Sequence, residues 1–266
     1  AELRRRVPAL TGGGPDTRLP IIGAMVHKEA AVCRHDGVAW GYARSASSRG
    51  VEIHQHTEVK SLLRDTDGTI KGVETNRGTV LADKVAVVVS GHTTTITETA
   101  GLRLPVKSFN LAAFVSEPVK PLIDVIVNCP DLGVYLNQSD KGELVIGGAP
   151  DAGQSFRRDI KQTVFEDAVV AMLELFPAFR RLKLLRQWGG VLDIAHDATP
   201  IISATDIPGL FVSCGWWGGF KAVPAGGYSL AHLIATGQPH DLAAPFTLTR
   251  FHHLDFIVES GTTTAR

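Results

Sequence analysis

LFVSCGWWGGFKAVPAGG, at residues 210–227, combines three local patterns in one short stretch. Its first five residues, ending at Cys214, are apolar or small and are typical of a buried strand. Glycines then interrupt that pattern, and a helix is predicted to begin near Pro224 or Ala225. A strand, a glycine-rich loop and a helix in this order indicate an α/β arrangement in the last third of the chain.

The loop within this stretch is suited to bind a ligand. Glycines at 215, 218 and 219 allow the backbone to approach a flat or anionic molecule, and the start of the following helix favours negative charge. Lys221 adds a cation that would pair with a substrate carboxylate or face the reactive part of a cofactor. The residues alone are equally compatible with a glycine-rich turn that carries a solvent-facing lysine.

The first third of the chain also predicts an α/β layout. A stripe of apolar residues spaced three and four apart predicts a helix over 34–50, where Gly50 provides the stop. Turn signals then separate a series of alternating segments. The predicted strands cover residues 51–56, 58–63, 70–75, 78–82 and 84–90.

The middle of the chain differs from both ends. Strand-like pieces alternate with Pro and Gly over 111–149, which predicts an antiparallel sheet. An amphipathic helix is predicted over 161–176, where Pro177 ends it. The fold class is therefore α/β plus α+β, with α/β parts at both ends interleaved with an antiparallel sheet and helix.

Composition excludes several classes of protein. Of 266 residues, 44% are hydrophobic and 20% are charged, which argues against a disordered, coiled-coil or collagen-like chain. Lys+Arg and Asp+Glu number 27 each, so no excess of one sign predicts binding to nucleic acid or an anionic membrane. No run of apolar residues is long enough to span a bilayer, and no signal-peptide pattern opens the chain. We expect a cytoplasmic protein.

Cysteine and histidine residues do not form a metal pattern. Cys33, Cys129 and Cys214 are widely spaced and are predicted to be free thiols. His54 and His56 share a strand face, but no third ligand accompanies them, so we predict no metal site.

His35 opens the predicted first helix, between Arg34 and Asp36. A histidine at this position is suited to be a base, a ligand, or simply a polar residue at a helix N-terminus. The residues around it do not decide among these roles.

Taken together, a set of segments resembles the β subunits of heterotetrameric sarcosine oxidases, within the D-amino-acid-oxidase-like flavoprotein superfamily. The similarity covers nearly the whole chain. The segments are, in order, RHDGVAWGYARSASSRGVEIHQHTEV, GVETNRGTVLADKVAVVVSGH, SEPVKP, QSDKGELVIGG, ELFP, LRQWGGVLD, DATPIIS and CGWWGGFKAVPAGG.

The resemblance implies two interleaved domains. Residues 1–34 and 102–188 would form a substrate domain with an antiparallel sheet, and residues 35–101 and 189–266 would form C-terminal parts of an FAD-binding α/β domain. The N-terminal dinucleotide-binding portion of the family, with its glycine-rich fingerprint, is expected to be absent from this chain. We therefore expect its affinity for FAD to be reduced.

The resemblance also implies two flavins. FMN would be covalently attached to His35, where a neutral imidazole nitrogen forms a C–N bond with the flavin 8-methyl carbon, and FAD would bind non-covalently. Lys221 would lie by the FAD ring and help to hold the substrate carboxylate. The other residues implied to contact FAD are Val59, Ser90, Gly91, Gly215, Trp216, Gly218, Gly219 and Phe220.

The implied reaction is the oxidative demethylation of sarcosine to glycine, with formaldehyde or methylene-tetrahydrofolate and hydrogen peroxide as products. The chain would act as the β subunit beside α, γ and δ subunits. Two alternatives are a flavin oxidoreductase for another secondary or N-methyl amino acid, and an inactive fragment that serves only as an assembly surface. Trp217 departs from the family, which has a small polar residue at this position of the loop.

Overall fold

The computed structural model describes residues 2–257. The last part of the predicted FAD-binding range, 258–266, lies outside the described residues. Among the helices of the described chain, none is both long enough and apolar enough to cross a membrane.

Six α-helices and eleven strands form the described chain, with several short 3₁₀ turns between them. The helices are α1 (Glu2–Arg6), α2 (His35–Ser47), α3 (Thr93–Thr97), α4 (Gln162–Leu175), α5 (Val223–Thr236) and α6 (Thr249–His252). The strands are β1 (Val59–Arg64), β2 (Ile70–Thr75), β3 (Gly78–Leu81), β4 (Val85–Val87), β5 (Val106–Pro118), β6 (Val127–Cys129), β7 (Val134–Gln138), β8 (Glu143–Gln154), β9 (Leu184–Ala195), β10 (Ile201–Ala204) and β11 (Leu210–Cys214).

The chain divides into two compact units. The first comprises Ala1–Gln55, Leu111–Asp151 and Asp159–Gly189, and the second comprises His56–Asn110, Ala152–Arg158 and Gly190–Arg266. The domain boundaries expected from the sequence lie after residues 34, 101 and 188. The assignment of one part to the substrate and the other to FAD stays a prediction.

The core of the first unit lies between helix α4 and strands of the large sheet. That sheet has the order β6-β7-β8-β5-β9, and β7 runs antiparallel to both β6 and β8. Strand β5 alternates buried and less buried residues, as expected where one face of a strand packs on a core. The helix residues Ala168, Met172 and Leu175 pack in one cluster with Phe114 and Leu136.

The second unit contains a small sheet with the order β10-β11-β4. Strand β11 is antiparallel to β10 and parallel to β4. Because successive side chains of a strand point to opposite faces, Leu210 and Val212 pack into one cluster with Val87, whereas Phe211 packs into another with Leu230 of α5. Strands β1, β2 and β3 form a separate antiparallel meander in the same unit.

The structure confirms the predicted fold class and most of the predicted elements. Helix α4 and strand β2 agree with the sequence prediction to within one residue at each end. The predicted strand over 51–56 is wrong, because these residues form an irregular segment and a turn. The backbone N–H of Val51 donates to the carbonyl of Ala46 at 3.1 Å, so the start of the segment is bonded back to the end of helix α2 and not across to a strand.

Candidate functional site

Two loops of the second unit begin at the same edge of its small sheet. Strand β4 is followed by a 3₁₀ turn over Ser90–His92, and β11 is followed by Gly215 and the glycine-rich loop. Because β4 and β11 are parallel, with Val87 paired to Val212, their carboxyl ends lie side by side. The carboxyl edge of parallel strands is the usual place for a ligand site in open α/β sheets.

Asp193, on strand β9, connects these two loops. Its Oδ1 accepts a hydrogen bond from Ser90 Oγ at 3.0 Å, and its Oδ2 accepts one from the backbone N–H of Gly215. Its backbone carbonyl also accepts the N–H of Trp217 at 2.9 Å. Asp193 is only 2% exposed. The hydrogen bonds from Ser90 and Gly215 therefore replace those that water would donate to an exposed carboxylate.

The first loop is tightly packed at Gly91. A Cβ built on this glycine would come within 2.8 Å of the backbone oxygen of Val191, so a larger residue does not fit without movement of the backbone. Ser108 donates its hydroxyl to the carbonyl of Gly91 at 2.6 Å. Residues of β5 and β9 thus contact the loop at Gly91.

The second loop leads into helix α5 through a 3₁₀ turn over Gly219–Ala222. The indole N–H of Trp216 donates a hydrogen bond to Ser213 Oγ, in strand β11, at 3.1 Å. This bond fixes the orientation of the indole ring. Lys221 is exposed and donates to the carbonyl of Gly218 at 3.1 Å. The loop therefore offers a cation at its surface, beside the positive end of α5.

The surface of the second loop is apolar as well as cationic. Trp217 is 42% exposed and Phe220 is 49% exposed. A Cβ built on Gly218 would meet no other atom within 4 Å, so open space lies beside the backbone at this point. An exposed aromatic surface, an open glycine and a cation together fit a flat molecule that carries negative charge.

The thiol of Cys214, at the end of β11, does not contribute a nucleophile. Burial, with a smaller contribution from the negative charge of Asp193, raises the pKa of Cys214 far above its ordinary value. The neutral thiol is therefore inert. Cys33, Cys129 and Cys214 are all free, as the sequence predicts.

The structure places most of the predicted site residues on these two loops. Ser90 and Gly91 belong to the first loop. The second loop contains the remaining residues of this group, namely Gly215, Trp216, Gly218, Gly219, Phe220 and Lys221.

Two predicted site residues lie elsewhere. Val59 is the first residue of β1, where it pairs with Thr75 in the meander. His35 is the exposed first residue of α2, in the first unit. The neighbouring Asp36 accepts hydrogen bonds from the Gly37 N–H and from Arg34, and these contacts lower the pKa of Asp36. Residues 2–257 contain no cluster of three or more side chains that would hold a metal ion.

Asp193, the residue that links the two loops, was not identified by sequence reasoning. It lies in GVLDIA, at 190–195, where it is the only charged residue in an otherwise apolar and small stretch. Such a residue inside a strand pattern is a signal, since a buried carboxylate must have hydrogen-bond donors. The donors themselves are not visible from the sequence, because they lie 103 and 22 positions away.

Comparison with known proteins identifies a family that this chain matches. A family model described as FAD dependent oxidoreductase (DAO) matches residues 1–233. The sarcosine oxidase subunit beta of Rhodobacter capsulatus is 45% identical over 260 residues, which cover 97% of this chain and 62% of that protein. The sarcosine oxidase subunit beta of Rhizobium meliloti is 43% identical over 262 residues, which cover 98% of this chain and 62% of that protein. The chain thus spans about three fifths of the length of these curated relatives.

Solved structures agree with the fold. An L-proline dehydrogenase from P. horikoshii superposes with a TM-score of 0.74 at 25% identity, over 81% of this chain and 59% of that one. A glycine oxidase from Geobacillus kaustophilus superposes with a TM-score of 0.71 at 24% identity, over 80% of this chain and 57% of that one. The second likeness bears on the fold alone.

Proposed function

The chain belongs to the family of FAD-dependent oxidoreductases (DAO), and from this premise we propose that it acts in the flavin-dependent oxidative demethylation of sarcosine, as the β subunit of a hetero-oligomer. The observation that carries the proposal is the 45% identity, over 97% of this chain, to a sarcosine oxidase subunit beta. The products would be glycine, hydrogen peroxide, and formaldehyde or methylene-tetrahydrofolate.

The loop after β11 supports binding of FAD. Its exposed Trp217 and Phe220 provide an apolar surface, and the space beside Gly218 leaves room for a flat ring. The positive end of α5 favours the negative charge that a reduced flavin carries. When bound, FAD would supply the redox chemistry by accepting a hydride equivalent from the N-methyl carbon of the substrate. We propose that the second unit belongs to the FAD-binding domain and the first unit to the substrate domain.

Lys221 is the residue that we propose to bind substrate. Its side chain is exposed, and among residues 2–257 its ammonium group donates to the carbonyl of Gly218 in its own loop. An ammonium held in this way remains able to pair with a carboxylate such as that of sarcosine. Its role would be to orient the amino acid relative to the flavin.

His35 is the proposed attachment site for covalent FMN. The imidazole lies at the exposed start of α2, where a flavin can approach it without movement of the core. Beyond it, the same helix exposes Trp40 (61%) and Tyr42 (52%), and none of its residues is buried. We propose that α, γ or δ subunits of a cytoplasmic complex cover parts of the surface of α2.

A second candidate function keeps the flavin and changes the substrate. The similarity to an L-proline dehydrogenase, at 25% identity, favours oxidation of another secondary amino acid. Proline and sarcosine both present a secondary amine and a carboxylate, so Lys221 would serve either substrate.

Reduction of the flavin by candidate substrates tests the proposal. The chain would be produced together with its partner subunits, loaded with FAD, and mixed without oxygen with sarcosine, dimethylglycine or proline. We expect the visible flavin absorbance to bleach fastest with sarcosine. Faster bleaching with proline would favour the second candidate, and failure of all three to bleach a bound flavin would contradict both.

A further inference from the structure

Three backbone positions near the candidate site share an uncommon conformation. Ser90, Gly215 and Trp217 have φ values of +48°, +73° and +53°. For residues with a side chain, this left-handed region costs free energy and persists only where the surrounding structure enforces it. Ser90 and Trp217 therefore need a contact that holds them.

Asp193 accepts a hydrogen bond from each of these three residues. Ser90 donates its hydroxyl to the carboxylate, Gly215 donates its backbone N–H to the other carboxylate oxygen, and Trp217 donates its N–H to the Asp193 carbonyl. Asp193 lies on β9, whereas the three donors follow β4 and β11. One residue thus connects two loops that are separated by more than one hundred positions in the chain.

The carboxylate depends on these loops in return. Within residues 2–257, no Lys, Arg or His side chain forms an ion pair with Asp193, and the buried Arg250 is paired with Asp197 instead. A buried carboxylate without a cation needs hydrogen-bond donors, and the donors here are the hydroxyl and the amide of the two loops. Removal of the carboxylate would leave the Gly215 N–H buried without a partner.

We propose that Asp193 is a positioning residue that fixes the Ser90–His92 turn and the start of the Gly215–Lys221 loop relative to each other. This inference rests on the proposed function for one consequence only: if the second loop binds FAD, loss of the Asp193 carboxylate weakens the binding of FAD. Because Asp193 is buried, it would affect FAD binding through the position of the two loops.

Substitutions at Asp193 and Ser90 distinguish the loss of a hydrogen bond from a change in the size of the side chain. In Asp193→Asn, the amide oxygen still accepts the Gly215 N–H, and the NH₂ group can donate to Ser90 Oγ. Asp193→Leu keeps the number and branching of the side-chain heavy atoms, although it is larger, and removes both side-chain hydrogen bonds. Ser90→Gly removes the side chain with its hydroxyl and tolerates the positive φ, so it removes the bond to Asp193 without added backbone strain. Val87→Ala, a buried change in β4, is the control for a general loss of stability.

Backbone hydrogen exchange of the chain provides the direct test. In D193L we expect the Gly215 amide to exchange at least about tenfold faster than in the wild type, since it loses its acceptor. The amide of Val212, in the ladder of β11, should change much less. D193N should restore slow exchange at Gly215, and V87A should not accelerate exchange selectively at this amide. Unchanged exchange at Gly215 in D193L would overturn the proposal.

Titration with FAD tests the consequence. We expect D193L to weaken FAD binding by about tenfold or more, S90G by less, and D193N by less than about threefold. If D193L does not fold, the same two measurements are made on S90G. Exchange of the Gly215 amide and an affinity for FAD that both equal the wild-type values would then overturn the proposal. If the wild-type chain does not bind FAD even when it is produced with its partner subunits, the proposed function is contradicted, while the exchange of Gly215 still decides the role of Asp193.

Discussion

Gly226, in the first part of helix α5, lies directly against the indole ring of Trp216. A Cβ built on Gly226 would come within 2.5 Å of Cη2 and 2.7 Å of Cζ2 of that ring. The ring is also held at its N–H by Ser213. A glycine in the helix therefore sets the position of the aromatic residue that begins the candidate flavin-binding loop.

Gly226→Ala is expected to destabilise the protein. The added methyl group would overpack the Trp216 ring at a cost of about 1–3 kcal/mol, which exceeds the gain of up to about 1 kcal/mol from removing a glycine from a helix. Urea unfolding measures the difference. Gly227→Ala is the matched control, because its Cβ would meet no atom within 4 Å, and we expect it to stabilise the protein slightly. Equal stabilisation by both substitutions would contradict the packing argument.

A buried ion pair makes the second unit sensitive to acid. Arg250 donates to Asp197 through Nε at 2.8 Å and through Nη2 at 2.9 Å. Burial, the largest influence, raises the pKa of Asp197, but hydrogen bonds from Arg250 and from the N–H groups of Ile257 and Thr199, with the Arg250 charge, bring it below its ordinary value. Because the folded-state pKa is the lower one, the stabilisation is present above the unfolded value of about 3.9 and is lost as the pH falls through the folded value.

Asp197→Asn is therefore expected to cost about 3–5 kcal/mol near pH 7, since it leaves Arg250 buried without a counter-charge. The deficit should narrow as the pH falls below about 4, the pKa of the carboxyl group in the unfolded chain, and towards the lower pKa that this group has in the folded protein. Unfolding curves at several pH values measure this. Asp65→Asn, at the exposed pair with Lys71 (3.7 Å), is the control and should cost no more than about 1 kcal/mol. A deficit for D197N that is independent of pH would argue against the pair.

Local patterns in the sequence predicted those elements whose own residues have a clear apolar periodicity or clear turn residues at their ends. Helix α4, the meander of β1 to β3, and the strand–loop–helix of 210–227 follow from apolar periodicity and turn residues. Helix α3, which the sequence did not predict, has the sequence TTTIT. Threonine is a weak helix former, so burial of Thr93 and Thr97 stabilises this turn rather than local propensity.

Long-range contacts explain what the sequence did not predict. The segment 51–56 has the alternation of a strand, but pairing depends on a neighbour and not on the segment itself. The hydrogen bonds of Asp193 join three separate segments, and nothing in GVLDIA indicates which residues will donate to it. The glycines of the loop, by contrast, were identified because their backbone role is local.

His35→Ala is expected to abolish covalent flavin if the attachment proposal holds. The measurement is the flavin absorbance and fluorescence that remain with the chain after acid precipitation and washing, using protein produced with its partner subunits. His27→Ala is the control, because His27 is also exposed and precedes the same helix. Covalent flavin that persists in H35A at the wild-type level would exclude His35. A wild-type chain that retains no flavin after acid precipitation and washing would contradict covalent attachment of FMN to any residue of the chain.

Lys221→Met is expected to impair substrate binding and to leave FAD binding nearly intact. Loss of a charge-assisted bond to the substrate carboxylate is worth about 1.5–3 kcal/mol, which corresponds to about a tenfold to hundredfold weaker affinity for sarcosine. Anaerobic reduction of the FAD-loaded complex at increasing sarcosine concentration measures this affinity. Lys221→Arg should recover part of the loss because it keeps the charge, and Lys71→Met, which removes an exposed lysine of β2, should have no effect. If K221M is reduced by sarcosine with wild-type affinity, Lys221 is a solvent-facing loop residue, and the carboxylate must be bound by another group.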